Sequence, residues 1–212
     1  MGTVETEEHR GVWEERYSSG RTWSGNPNAI LVREAEGLTP GRALDIGCGE
    51  GGDAIWLAKQ GWEVVGIDIA QNALDLAAEH AVEKGVADQI TWERHDLTES
   101  TPQGPFDLVS ACYFHSWLDF DRVGALRAAA ALVAPGGSLL VAGHAGPPSF
   151  VDDPDHPARK LPSTDQVLAD LALGDDWEVV TNEPAIDVTM KHPKTGEPAT
   201  RPDNALVVRR AA

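Results

Sequence analysis

The chain predicts an α/β fold in which helices cover both faces of a mostly parallel sheet. Three observations carry this. Short apolar strands alternate with helical periodicities from Arg42 onward, a glycine-rich turn follows the first strand, and aspartates recur at strand ends. The length of 212 residues suits one domain with a peripheral segment better than two small domains.

The first forty residues are polar with interspersed aromatics, Trp13, Tyr17 and Trp23. A helix is expected over 5–17, then a turn at Ser18-Ser19-Gly20. A second helix is expected over 28–36, closed by Gly37 and stopped by Pro40. Residues 1–40 read as an N-terminal helical cap, and 41–212 as the main domain.

Residues 43–46 form a short apolar strand running into the glycine cluster, and a helix over 53–59 ends at Gly61. Residues 64–68 are the next strand. Leu74, Ala77, Ala78 and Ala81 then mark one face of a helix that stops at Gly85. Strands are expected at 90–95 and 106–111, a helix near 121–132, and a fifth strand at 138–142 after the turn Ala134-Pro135-Gly136-Gly137. Ser163 caps a last helix reaching about Leu173, and two final strands lie at 177–188 and 204–209. Right-handed crossovers place the strand C-terminal ends on one rim, where such sheets bind ligands.

Composition narrows the functional classes. The net charge is −17, from 34 acidic and 17 basic residues, which repels a phosphate backbone, so no nucleic-acid partner is expected. No apolar run is long enough to span a bilayer, and the acidic start lacks the pattern of a signal peptide. A cytoplasmic protein without membrane association is expected, working as a monomer or homodimer. Cys48 and Cys112 lack CxxC spacing and read as reduced thiols, Cys48 as a packing residue. The Pro-rich loop 146–162 carries Asp152, Asp153, Asp155 and His156 without a metal-ligand spacing, so it reads as a solvated loop or substrate wall, and no metal is expected.

Gly47, Gly49 and Gly52 satisfy G-x-G-x-x-G, and Asp68 follows about twenty residues on, as a nicotinamide-binding fold would also have it. Asp45 separates the two readings. A carboxylate beside the turn crowds a pyrophosphate but suits a ligand carrying an ammonium and a sulfonium.

The segments LDIGCGEGG (44–52), VVGIDIA (64–70), HDL (95–97), FDLVSACYFH (106–115) and LVAPGGSLLV (132–141) stand in order. In them the chain resembles the class I S-adenosylmethionine-dependent methyltransferases, over roughly Arg42 to His144. Within that family, GCGEGGDAIWLAKQGWEVVGIDIAQNAL is similar to the tellurite-resistance and thiopurine-type small-molecule enzymes. The leader, with Trp13, Arg16, Tyr17 and Trp23, is similar to their cofactor cap.

The resemblance implies a Rossmann-like, seven-stranded, mostly parallel sheet with an antiparallel C-terminal strand. It implies S-adenosylmethionine as cofactor and a small-molecule methyl acceptor as partner. Asp45, Gly47, Cys48 and Gly49 would hold the methionine end, and Asp68, with Ile69 beside it, the ribose. Asp96 and Leu97 would meet the adenine, Ala111, Cys112 and Tyr113 the sulfonium side, and Arg16 and Trp23 would cover the cofactor. Each aspartate alone also reads as an ordinary turn residue. His115 is the candidate base and Tyr113 a candidate for orienting the acceptor; both also read as packing residues. His144 has similar topology. The rival functions are a noncatalytic S-adenosylmethionine-binding regulatory protein and a nicotinamide-dependent oxidoreductase.

Overall fold

A computed structural model describes residues 4–20 and 22–212; residues 1–3 and 21, which fall in the predicted cap, lie outside the described residues. Five strands, β1 (Arg42–Ile46), β2 (Glu63–Asp68), β3 (Ile90–Arg94), β4 (Phe106–Cys112) and β5 (Val133–His144), pair in parallel. With β6 (Trp177–Lys191) and β7 (Pro198–Arg210) they form one sheet in the order β3-β2-β1-β4-β5-β7-β6. β7 is antiparallel to both its neighbours, as the resemblance implied.

The central strands are mostly apolar because both of their faces are buried. Ala43, Val64, Leu108 and Leu140 face α2 (Ala29–Ala35), α3 (Gly52–Lys59) and the Ala81 side of α4 (Gln71–Glu83). Their sequence neighbours Leu44, Val65, Val109 and Leu139 face α5 (Arg122–Ala131) and α6 (Thr164–Leu171). Period-two alternation sorts the side chains between two cores. The first helix, α1 (Val4–Tyr17), packs on α4, while Ile30 and Leu31 of α2 are buried in the main core.

Helix ends follow local chemistry. Asp121 accepts from the N–H of Gly124 at 2.8 Å and Ser163 from that of Gln166 at 3.2 Å, capping α5 and α6. The last strands are longer than the sequence suggested. β6 alternates polar and apolar residues along an exposed ribbon, and a register shift between Glu183 and Ile186 accommodates Pro184. β5 likewise starts at Val133, through the expected Pro-Gly-Gly turn, because Val133 pairs with Phe106 before a bulge resets the register.

Candidate active site

β1 delivers Asp45 to the sheet rim and the chain then turns through Gly47 (φ +64°) and Gly49 (φ +52°) into α3. Left-handed backbone at both positions favours glycine, and the space beside each is tight. A Cβ at Gly47 would lie 3.0 Å from Phe114 Cδ2, and one at Gly49 would lie 3.0 Å from the Tyr17 hydroxyl. The turn is pressed between the segment after β4 and the first helix.

Asp45, Asp53 and Asp68 line a cavity of about 580 Å³ beside this turn. Asp68, at the end of β2, accepts the backbone N–H groups of Gly49 and Ala70, both at 3.0 Å. Burial outweighs these bonds and raises its pKa to about 6. Asp45 takes the Ser110 hydroxyl at 3.2 Å on one oxygen, and its other oxygen is buried with no hydrogen-bond partner among the described residues. Burial, followed by the charge of Asp53, pushes Asp45 upward. Asp53 holds Asn28 through its backbone N–H (2.6 Å) and side-chain amide (2.7 Å), and burial raises it also. Burial first, then neighbouring carboxylates, pushes the Cys48 and Cys112 thiols upward, which suits packing and not nucleophilicity.

This donor set tests the expected cofactor. Asp45's orphaned acceptor would suit an ammonium group, and each Asp68 oxygen keeps a lone pair for a hydroxyl. The acids around a bare glycine turn fit S-adenosylmethionine better than a pyrophosphate.

Asp96 stands at the cavity edge, where its carboxylate accepts the N–H and hydroxyl of Thr98, and Leu97 and Ile69 line the same wall. Cys112 and Tyr113 reach the cavity, whereas Ala111 lies fully buried in the core beneath it. Trp23 lines the cavity. Arg16 sits behind the wall, its guanidinium 4.8 Å from the Trp23 ring, 5.4 Å from Trp117 and 5.8 Å from Trp13.

The roof is fixed by contacts that no local pattern announces. Glu50 accepts the N–H groups of Thr22 and Trp23, and the Trp23 indole donates to Tyr17 at 3.1 Å. The Trp13 indole donates to His9, whose Nε2 lies 2.9 Å from Ser116 Oγ. Burial pushes the Tyr17 hydroxyl well above the ordinary tyrosine range.

Tyr113, His115, His144 and Arg201 line the same cavity. His115 is largely buried, and both ring nitrogens lack a hydrogen-bond partner among the described residues. Burial, then the charges of Arg122 and His144, lowers its pKa to about 4. The Tyr113 hydroxyl donates to Asp203 at 2.5 Å, and His144 Nδ1 lies 2.9 Å from the other oxygen of that carboxylate. Arg201 donates to both oxygens, at 2.8 and 2.9 Å. Asp203 and Arg201 escaped the sequence reading, because only the β5–β7 register brings them beside the rim. Residues 146–162 are absent from the cavity wall among the described residues; Ser149 ties that loop to Thr200 on β7.

Comparison with known proteins bears on the family and the fold. A family model described as a methyltransferase domain matches residues 44–139. The 2-heptyl-1-hydroxyquinolin-4(1H)-one methyltransferase of Mycobacteroides abscessus is 32% identical over 158 residues, 72% of this chain and 69% of that protein. The ubiquinone biosynthesis O-methyltransferase of Aeromonas salmonicida is 38% identical over 113 residues, 52% of this chain. The match spans about half that relative's length, 46%. Among solved structures, a protein studied for conversion of a disulfide bond into a thioacetal group during echinomycin biosynthesis superposes with TM-score 0.70 and 23% identity. It covers 97% of this chain and 91% of its own. TehB from Haemophilus influenzae gives TM-score 0.65 at 18% identity, covering 94% and 67%. At these identities the structural likeness is one of fold.

Proposed function

The chain belongs to the class I S-adenosylmethionine-dependent methyltransferases, and from that premise we propose that it methylates an oxygen of a small aromatic acceptor. One observation carries the reading: the acid-lined glycine turn and the cluster of Tyr113, His115 and His144 open into the same cavity. A donor held at the glycine turn therefore shares its cavity with aromatic rings and imidazoles. The likeness to the solved TehB structure, at 18% identity, is one of fold alone. The quinolinone enzyme shares sequence over most of both chains and, by its name, acts on an aromatic ring bearing an oxygen. That favours a ring hydroxyl over a tellurium oxyanion.

The sulfonium donor supplies an already activated methyl group, so the protein's task is alignment and exclusion of water. Asp68 would orient the ribose hydroxyls, Asp45 the amino acid end, and Asp96 and Leu97 the adenine. Trp13, Trp23 and Trp117, gathered around Arg16, would shield the reacting end from solvent. The strongly acidic chain would act in the cytoplasm on a small molecule and not on nucleic acid.

Thermal unfolding with S-adenosylhomocysteine, with NADH and NADPH as controls, tests the cofactor. At a hundred times Kd a ligand adds ~2.7 kcal/mol, a Tm rise of roughly 5–10 °C for this size. A rise with the homocysteine ligand alone is expected, and a rise with a nicotinamide alone overturns the reading. Methyl transfer to hydroxylated quinolones and catechols distinguishes an enzyme from a binding protein.

A further inference from the structure

The geometry points to His144 as the catalytic base of this site, with Asp203 as the residue that positions its ring. The inference rests on the methyl-transfer reading above and assigns where an acceptor hydroxyl sends its proton.

The pair is built by the sheet. His144 ends β5 and lies directly opposite Asp203 in the antiparallel register with β7. Asp203 is fully buried and, as a carboxylate, accepts hydrogen bonds only. Its Oδ1 lies 2.9 Å from His144 Nδ1, so Nδ1 carries the proton and Nε2 is left with its lone pair. Among the described residues Nε2 has no hydrogen-bond partner. The His144 side chain is 32% exposed and lines the cavity, so the lone pair is accessible.

Two further residues hold the carboxylate in place. Arg201 forks onto both its oxygens, and Tyr113 donates from across the cavity floor. Burial alone would raise the Asp203 pKa; the bonds from His144, Arg201 and Tyr113 outweigh it and hold the group at about 2. Tyr113 adopts φ +52°, a left-handed conformation uncommon for an aromatic residue. Such local strain persists where the surroundings over-determine it. Here the bond to Asp203 and the ring of His144, 4.7 Å away, do so.

His115, the other imidazole of this cluster, is a poorer proton acceptor. Its nitrogens are buried, and its ring lies so close to Gly143 that a Cβ there would meet Nε2 at 2.4 Å. The groups facing His144 are thus Tyr113, His115 and, from β7, Asp203 and Arg201. Arg201 neutralises Asp203. When His144 accepts a proton the cluster becomes net positive beside a newly anionic oxygen, and the two charges attract.

The proton balance is simple. The hydroxyl proton passes to His144 Nε2, and an oxygen lone pair forms the new bond to the methyl carbon. The electrons of the broken carbon–sulfur bond stay on sulfur, and the imidazolium later releases its proton to water.

The test compares wild type with His144→Gln on 4-methylcatechol, whose hydroxyls arrive protonated at pH 7, and on 4-nitrothiophenol, which arrives as the thiolate. We expect kcat to fall about 10²–10⁴-fold on the catechol, by less than about tenfold on the thiolate, with the catechol loss shrinking as pH rises. Equal losses on both acceptors overturn the assignment while leaving methyl transfer standing. If wild type methylates neither probe, nitrogen-15 NMR of the intact protein decides. An Nε2 lone-pair tautomer that redistributes in Asp203→Asn supports the assignment, and a protonated Nε2 in neutral His144 overturns it. Failure to bind S-adenosylhomocysteine sinks the methyltransferase reading separately, because the tautomer measurement needs no ligand.

Discussion

Glu14 caps a helix to which it does not belong: its carboxylate accepts the N–H of Gln71 at 2.8 Å. It also takes the N–H of Asn72, at 2.9 Å. The residue at the N-cap of α4 is Ala70, which has no side-chain oxygen to offer. The roof helix α1 therefore satisfies the exposed amides of α4 and places a negative charge at the positive end of its dipole.

Glu14→Ala is expected to destabilise the protein by ~1–2 kcal/mol, the usual cost of a lost cap, lowering Tm by roughly 2–8 °C. Glu14→Gln should cost less, since one oxygen can still accept. Urea unfolding of both variants checks this, and an unchanged Glu14→Ala would remove the capping role.

Gly66 lies inside β2, with Trp92 of β3 laid across it. A Cβ there would lie 2.4 Å from Trp92 Cζ3 and 2.6 Å from Cε3. Gly66→Ala should cost ~1–3 kcal/mol through overpacking. Adding Trp92→Leu should leave the double variant more stable than the sum of the two single losses predicts. Simple additivity in thermal unfolding would show that the contact carries no strain.

Asp68→Ala removes both acceptors at the end of β2. Affinity for S-adenosylhomocysteine should fall by ~1.5–3 kcal/mol, roughly ten- to two-hundredfold, in calorimetric titration. In wild type the same affinity should weaken as pH falls through about 6, where Asp68 takes a proton. A flat pH dependence would count against Asp68 as the ribose ligand.

Asp68 and His115 impose opposite slopes on stability. The folded pKa of Asp68 is raised to about 6, so the folded state holds the extra proton, and stability falls as pH rises from the unfolded value, ~3.9, to about 6. The His115 pKa is lowered to about 4, so the unfolded state holds the extra proton, and stability rises with pH from about 4 to ~6.5. Each contribution is on the order of 3 kcal/mol, at 1.36 kcal/mol per pKa unit. Asp68→Asn should tilt the unfolding profile toward increasing stability between pH 4 and 6, and His115→Leu the other way. Identical profiles for both variants would contradict the two shifts.

The parallel core was legible because strands buried on both faces read as short, mostly apolar runs, Ala43 to Ile46, Val64 to Ile67 and Phe106 to Ala111, interrupted only by Asp45, Gly66, Asp107 and Ser110. Asp45 was legible because it adjoins a glycine turn whose backbone demands are local, and Asp68 because it ends the next strand about twenty residues beyond that turn. Asp203 was not, since its neighbour His144 is set by the register of an antiparallel pair, information that neither strand holds alone. The partners of Glu14 and Glu50 were not legible for the same reason: they are backbone amides in distant segments. The ends of β6 and β7 were missed because polar alternation on an exposed ribbon carries little hydrophobic signal.

β7 is the last strand in the sequence, yet it lies between β5 and β6 in the sheet. A chain emerging from the ribosome must therefore hold β5 with an open edge until residues 198–210 have been made. In that interval His144 has no carboxylate to orient it and Tyr113 no acceptor for its hydroxyl. Sheet closure and assembly of the proton-accepting end are one event during synthesis, so a nascent chain can acquire its glycine turn early but its reactive end only once residues 198–210 have been made.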